Sequence, residues 1–236
     1  MEKQLKKLDK DNAGLKNALV APMQRRIFFR YAGASAAATA LLFATTSCDD
    51  DDMGAMDPDV VDLGSGDIGV LNYAYALEQL EAAYYTEVVA RSLSMFNQTE
   101  QQIMQDLKGH EMIHRDFLQA ALGSSAIPAL QVDFSSVNFN DKNSVLMTAK
   151  TFEDLGVAAY NGAGRLLEDA GFLTLAGKIV SVEARHAAVI SDLISNGTFA
   201  DSANGMGFDP AMMPADVLAA ASSFITTNIS ANNLPQ

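Results

Sequence analysis

Two stretches of this chain carry the same acidic pattern in the same order. Leu77-Glu78-Gln79-Leu80-Glu81-Ala82-Ala83-Tyr84-Tyr85 lines up with Phe152-Glu153-Asp154-Leu155-Gly156-Val157-Ala158-Ala159-Tyr160. Glu78 then falls on Glu153, Leu80 on Leu155 and Tyr85 on Tyr160. Further on, His110-Glu111-Met112-Ile113-His114 lines up with Val182-Glu183-Ala184-Arg185-His186, placing Glu111 on Glu183 and His114 on His186. Glu78 precedes Glu111 by 33 residues, and Glu153 precedes Glu183 by 30. A chain that repeats an acidic residue and then a Glu-x-x-His pair at matched distances folds as two similar hairpins. Carboxylates on the inner faces of those hairpins are tolerable only if something of opposite charge meets them.

The surrounding periodicity is helical. Leu71, Tyr75, Leu77, Ala82, Tyr85, Val88 and Val89 recur at threes and fours and predict a first helix over Ile68 to Phe96. A second helix is expected over Thr99 to Leu122, with Thr99, Gln101 and Gln102 as its capping region and Gly123 as its stop. A third is expected over Ser144 to Asp169, capped by Asp141 or Asn143, and a fourth over Leu173 to Ser195, ending before Asn196-Gly197. About twenty residues separate the second and third helices and contain Pro128, Val132, Phe134 and Phe139. A structureless loop of that length is unusual, but a bundle built from two hairpins needs one long crossover. Past Asn196 the chain turns Gly- and Asn-rich, then passes Pro210 and Pro214 to an apolar piece, Val217 to Ile225, read as a short fifth helix or a segment packed along the bundle. The expected fold class is all-α: a four-helix bundle over 67–200 with a crossover between helices 2 and 3, and a C-terminal extension over 201–236.

Residues three apart on a helix share a face, so each Glu-x-x-His pair can grip one ion. Carboxylate oxygen and imidazole nitrogen suit iron, manganese or zinc. One further Glu from each of the other two helices completes the arrangement known from di-iron and di-manganese bundles. Four carboxylates and two neutral imidazoles also balance two divalent ions in charge.

On these residues the sequence resembles the ferritin-like superfamily, and within it the exported branch that includes desiccation-related proteins. The resemblance covers about Leu71 to Ile194. It implies a ferritin-like four-helix bundle and the metal ligands Glu78, Glu111, His114, Glu153, Glu183 and His186 around two iron ions, with manganese or zinc as alternatives.

Several neighbours are open to two readings. Glu81 faces about 60° round the helix from Glu78 and is either the first-helix ligand or a supporting carboxylate; the repeat favours Glu78, because Glu81 falls on Gly156. Tyr85 and Tyr160 lie two turns from Glu78 and Glu153, as core residues with satisfied hydroxyls or as hydrogen-bond or electron donors beside the metals. His110 has no equivalent in the fourth helix and reads as a surface or hydrogen-bonding residue. Met112 and Ile113 read as packing residues. Arg185 pairs with a carboxylate such as Glu111 or Asp116, or is a plain surface residue.

The start of the chain reads as an address. Residues 1–47 hold eight of the sixteen Lys and Arg and three of the twenty-nine Asp and Glu. The remainder has eight basic against twenty-six acidic residues, a balance of −18. A surface so acidic excludes nucleic acid as a partner and is compatible with attracting cations. Arg25-Arg26-Ile27-Phe28-Phe29-Arg30 followed by the small, mildly apolar run Tyr31 to Ala44 makes a signal peptide over 1–47 that resembles a twin-arginine export signal. Cys48, the only cysteine, cannot form an internal disulfide and resembles the lipidated residue of a bacterial lipoprotein. The acidic run Asp49 to Asp52 and the stretch to Gly66 read as a flexible tether over 48–66. The expected location is the periplasm or cell envelope, membrane-anchored through the lipid, with surface exposure as an alternative.

Two functions from different classes follow. One is redox chemistry at a di-iron centre, a ferroxidase or peroxidase type of activity in which ferrous iron is oxidised or O2 or peroxide reduced. Nothing in the chain resembles a rubredoxin-type Cys cluster, so catalytic turnover on peroxide calls for an external electron donor. The other is a non-catalytic metal-binding or stress-protective helical scaffold. The sequence leaves an oligomer open, and the anchor and C-terminal extension disfavour a closed storage shell.

Overall fold

The structure, a computed structural model, describes residues 60–201, 203 and 205–235. The export signal, Cys48 and the first part of the tether lie outside the described residues. In order, the elements are β1 (Val60–Asp62), α1 (Gly66–Arg91), α2 (Gln98–Leu122), α3 (Lys142–Ala163), α4 (Ala170–Ile194), α5 (Pro214–Ala221) and β2 (Asn228–Ser230). The four long helices form two hairpins, α1 with α2 and α3 with α4, and α1 meets α3 along the middle. This is the all-α bundle expected from the repeat.

Three of the four long helices, α2, α3 and α4, begin where a side chain satisfies free N–H groups. Asn97 and Glu100 cap α2 reciprocally: Glu100 N–H donates to Asn97 Oδ1 at 3.0 Å and Asn97 N–H to Glu100 Oε2 at 2.9 Å. The cap is therefore Asn97, two residues before the expected Thr99. Asp141 caps α3 through Asn143 N–H, and Asp169 caps α4 through the N–H groups of Gly171 and Phe172. Asp169 had been expected inside the third helix. Instead α3 stops at Ala163, runs through a 3-10 turn at Gly164–Leu166 and leaves the helix at Leu167. Asp67 on α1 accepts the N–H groups of Glu168 and Asp169 at 2.8 and 2.9 Å, fixing this turn against the start of α1. α1 also ends early, at Arg91, passing into a 3-10 turn at Leu93–Met95, and the Ser92 hydroxyl at its end donates to Phe139 O at 2.7 Å.

Of the four long helices, α1 is buried on the most sides, so its apolar character runs nearly all round it. The crossover is held against it by polar groups inside the core. Asn72, buried, donates to Leu63 O and Ser125 O and accepts from Ile127 N–H. Gln79 accepts from Leu130 N–H at 2.9 Å, and Tyr84 donates to Val145 O at 2.6 Å. Tyr84, Phe134, Phe139, Phe152 and Phe224 pack edge to face or tilted beneath the crossover. The long loop thus has its own anchors and core, which is how a segment of this length stays ordered.

Two features depart from the expected outline. Val60–Asp62 pairs in parallel with Asn228–Ser230, Val60 opposite Asn228, so the segment read as the end of the tether is a strand of the fold. The fifth helix covers Pro214–Ala221 instead of Val217 to Ile225: Pro214 suits a first helical position, and Ile225 is drawn out to bridge Val132. Gly162 on α3 admits the incoming chain, because a Cβ there would collide with the Met212 carbonyl. Among the described residues no helix is long and apolar enough to cross a membrane.

Candidate metal centre

The bundle brings all six residues of the repeated motif to one place, midway along the four helices. α1 supplies Glu78, α2 Glu111 and His114, α3 Glu153, and α4 Glu183 and His186. The four Glu side chains have no solvent exposure, and His186 and His114 retain 4% and 9%. Four ionisable carboxylates at zero exposure are rare in a core that has nothing to neutralise them.

The distances divide the six residues into two overlapping groups. Around His114 Nδ1 stand Glu183 Oε1 at 2.8 Å, Glu111 Oε2 at 3.4 Å and Glu78 Oε2 at 3.5 Å. Around His186 Nδ1 stand Glu111 Oε1 at 2.7 Å, Glu153 Oε2 at 3.4 Å and Glu183 Oε2 at 3.6 Å. Glu111 and Glu183 each give one oxygen to each group, while Glu78 and Glu153 serve one group apiece. Each group therefore offers one nitrogen and three carboxylate oxygens, with ligand atoms within 4.8 Å of one another.

These contacts are at ionic distance but lack hydrogen-bond alignment. Both Nδ1 atoms, both oxygens of Glu111 and of Glu183, Glu78 Oε2 and Glu153 Oε2 are buried without a hydrogen-bond partner. Native cores satisfy nearly all such atoms, so eight left together mark a site shaped for something else. An N/O donor set of this kind fits a divalent first-row cation, and the cluster can hold a metal ion.

Electrostatics show what the cluster does with protons alone. Burial works against a charged imidazole, but the carboxylates of Glu111, Glu183 and Glu78 outweigh it and push His114 up to about 12. His186 is likewise pushed up to about 12, burial being outweighed by Glu111, Glu153 and Glu183. Burial would raise Glu111, yet the two imidazoles bring it down to about 2. Burial lifts Glu153 to about 8 against the pull of His186. Glu78 lies well above the carboxylate range through burial and the neighbouring Glu183 charge.

Both tyrosines reach the centre, and they cross. Tyr85 on α1 donates to Glu153 Oε1 on α3 at 2.5 Å, and Tyr160 on α3 donates to Glu78 Oε1 on α1 at 2.5 Å. Burial raises both phenols well above their ordinary value, so each remains a donor. Each outer Glu thus has one oxygen held by a phenol and the other turned to an imidazole.

Glu81 is buried at 3% exposure beside the cluster, and burial with the charges of Glu183, Glu111, Glu78 and Glu153 raises it well above the carboxylate range. It belongs to neither group of four. Its space comes from Gly156, where a Cβ would stand 3.0 Å from Glu81 Oε1 and 3.7 Å from Glu183 Oε2. The position at which the repeat breaks is therefore the notch that receives Glu81.

His110 is exposed, as expected of a surface residue, and its Nδ1 lies 2.9 Å from His186 Nε2. The rings are 11° from parallel with centroids 5.1 Å apart. That separation is the N–N distance plus a ring radius at each end, so they meet edge to edge in one plane. Its sequence signal was only its place beside Glu111, without a counterpart on α4. Of the two readings of Arg185, the plain surface residue holds: it is exposed and donates to Ser181 O, while Asp116 takes Arg115 at 2.6 Å. One smaller reading is corrected. Ile113 is 65% exposed and so is not a packing residue, because its place in the Glu-x-x-His turn faces away from the centre.

Residues 66–196, more than half of the chain, match the family model described as ferritin-like domain. A search of curated proteins finds no match.

Proposed function

The chain belongs to the ferritin-like domain family, and on that premise we propose that it is a di-metal carboxylate protein which oxidises ferrous iron or reduces O2 or peroxide. The ligands are Glu78, Glu111, His114, Glu153, Glu183 and His186, and the resident metal is a pair of iron ions, with manganese or zinc as alternatives. The observation that carries this reading is the placement of Glu111 and Glu183, each with one oxygen near each imidazole. Two carboxylates placed in this way could each serve two cations held in one core.

Redox-active ions at such a centre supply electrons and polarise the oxygen species. The protein's part is to hold and shield. Tyr85 and Tyr160 fix Glu153 and Glu78 so that the second oxygen of each points inward. His110 engages the outer nitrogen of His186, leaving Nδ1 for a ligand role. Glu81 adds a fifth carboxylate that is free to change partners as charge builds up. The signal-like start and Cys48 support a place in the cell envelope, anchored by lipid, with reducing equivalents supplied from outside the chain.

Metal content of protein from its native host tests the reading. Wild-type protein should carry two irons per chain and consume oxygen when ferrous ion is added. Glu111→Gln should lose both ions, whereas Glu78→Gln should lose one. A colourless protein that takes up no iron, or zinc-loaded protein without oxygen uptake, would instead support the non-catalytic scaffold.

A further inference from the structure

Between α2 and α4, next to the centre, lies a cavity of about 30 Å³ that no polar atom faces. Tyr73 and Leu77 of α1 and Ala159 and Tyr160 of α3 form its buried floor, and the half-buried Phe117 of α2 and Ala176 of α4 stand at its mouth. Tyr160 joins the cavity to the centre: its ring is part of the wall, and its hydroxyl is the one that holds Glu78. Leu77 is the residue before Glu78. Whatever rests in the cavity is one aromatic ring away from the Glu78 and His114 side of the cluster.

The lining selects the occupant. A buried water needs roughly two to four polar partners, and this cavity offers none. Water therefore gains little there, and a charged or strongly polar solute still less. The volume has room for about two water-sized spheres, hence for one molecule of diatomic size, and none for an acyl chain. We infer that the cavity takes up a small, uncharged, apolar molecule of dioxygen size, which enters between α2 and α4 and rests against the Tyr160 ring. The purpose of this site rests on the oxygen-using reading above; its existence does not.

Xenon separates the two. Apolar cavities bind xenon, and the atom is visible without any metal. Crystals of the full chain, stripped of metal by a chelator and pressurised with xenon, should show it between Leu77, Ala159 and Tyr160. Ala176→Phe, at the mouth where a larger ring disturbs the fold least, should abolish that density, and Ala159→Val should reduce it. In iron-loaded protein, Ala176→Phe should lower the dependence of ferrous oxidation on dissolved O2 by about tenfold, while the dependence on hydrogen peroxide, a polar oxidant, stays unchanged. Absence of xenon from the wild-type cavity overturns the inference. So does an Ala176→Phe protein with xenon and oxygen dependence intact, or one that loses both oxidants equally. If wild-type crystals take xenon but the protein oxidises no ferrous iron, the oxidation reading fails and the cavity assignment stands.

Discussion

The Tyr85 hydroxyl on α1 donates to Glu153 on α3 at 2.5 Å, and no residue of its own hairpin takes that bond. Tyr160 returns the arrangement to Glu78. The two hairpins are thus tied through the carboxylates of the buried cluster, and the orientation of each outer Glu depends on the opposite helix. Tyr85→Phe should lower stability by about 1–3 kcal/mol by leaving a buried carboxylate oxygen without its donor. It should weaken metal uptake on the His186 side, and Tyr160→Phe on the His114 side. Thermal melts with and without metal, together with stepwise metal titration, check this. Equal loss at both positions from either variant would contradict the crossed geometry.

His110 makes the two positions unequal. His186 has a second imidazole in plane with its outer nitrogen. Partners of this kind set ligand orientation and are worth about 10–100-fold in metal affinity. His110→Ala should therefore weaken one of the two binding steps by that factor and leave the other alone. His110→Gln, which can still accept a hydrogen bond, should recover part of the loss. Because His110 is exposed, neither variant should change the melting temperature of metal-free protein.

Much of this centre was legible in the sequence because its chemistry is periodic. Glu-x-x-His fixes a helical face, and writing it twice points to two hairpins; the meeting of Glu78, Glu111, His114, Glu153, Glu183 and His186 at one centre followed from the resemblance to ferritin-like di-metal bundles. What was illegible depends on distances across the core. The hydroxyls of Tyr85 and Tyr160 looked local to Glu78 and Glu153 along the chain, yet each crosses to the other hairpin. His110 reaches α4 by a lateral offset that no spacing rule encodes. The pairing of β1 with β2 joins short segments with too few residues to display a period.

Gly156 gives the mismatch in the repeat a testable role. A methyl group placed there would stand 3.0 Å from Glu81 Oε1, tighter than ordinary packing, so the carboxylate has to move. Gly156→Ala should keep the fold, since Ala favours helix over Gly by about 1 kcal/mol, while displacing Glu81 from the cluster. If Glu81 exchanges contacts during turnover, Gly156→Ala and Glu81→Gln should share one defect: normal metal content with slower reoxidation. Loss of metal from Gly156→Ala but not from Glu81→Gln would show that the notch serves Glu183 instead.

Protons and metal compete for the same atoms, and the sign of that competition can be worked out. In metal-free protein His114 and His186 are raised from an ordinary 6.5 to about 12, and Glu153 from 4.5 to about 8. Groups with raised values bind more protons folded than unfolded, so their contribution is complete below the unfolded value and lost as pH rises through the folded one. Glu111, lowered to about 2, acts in the opposite sense only below its ordinary 4.5. Between 4.5 and about 8 the metal-free protein should therefore lose stability as pH rises. Metal binding reverses the trend, because a cation at Nδ1 has to displace the imidazole proton and binds better where protons are scarce. Adding ferrous or zinc ion to metal-free protein at neutral pH should acidify an unbuffered solution by more than two protons per chain, one from each imidazole and the rest from Glu153 and Glu78, whose raised values leave them protonated there. Melting curves across this pH range, with chelator and with metal, should diverge as pH increases. Parallel curves, or metal uptake without proton release, would mean that the ions bind somewhere other than between His114 and His186.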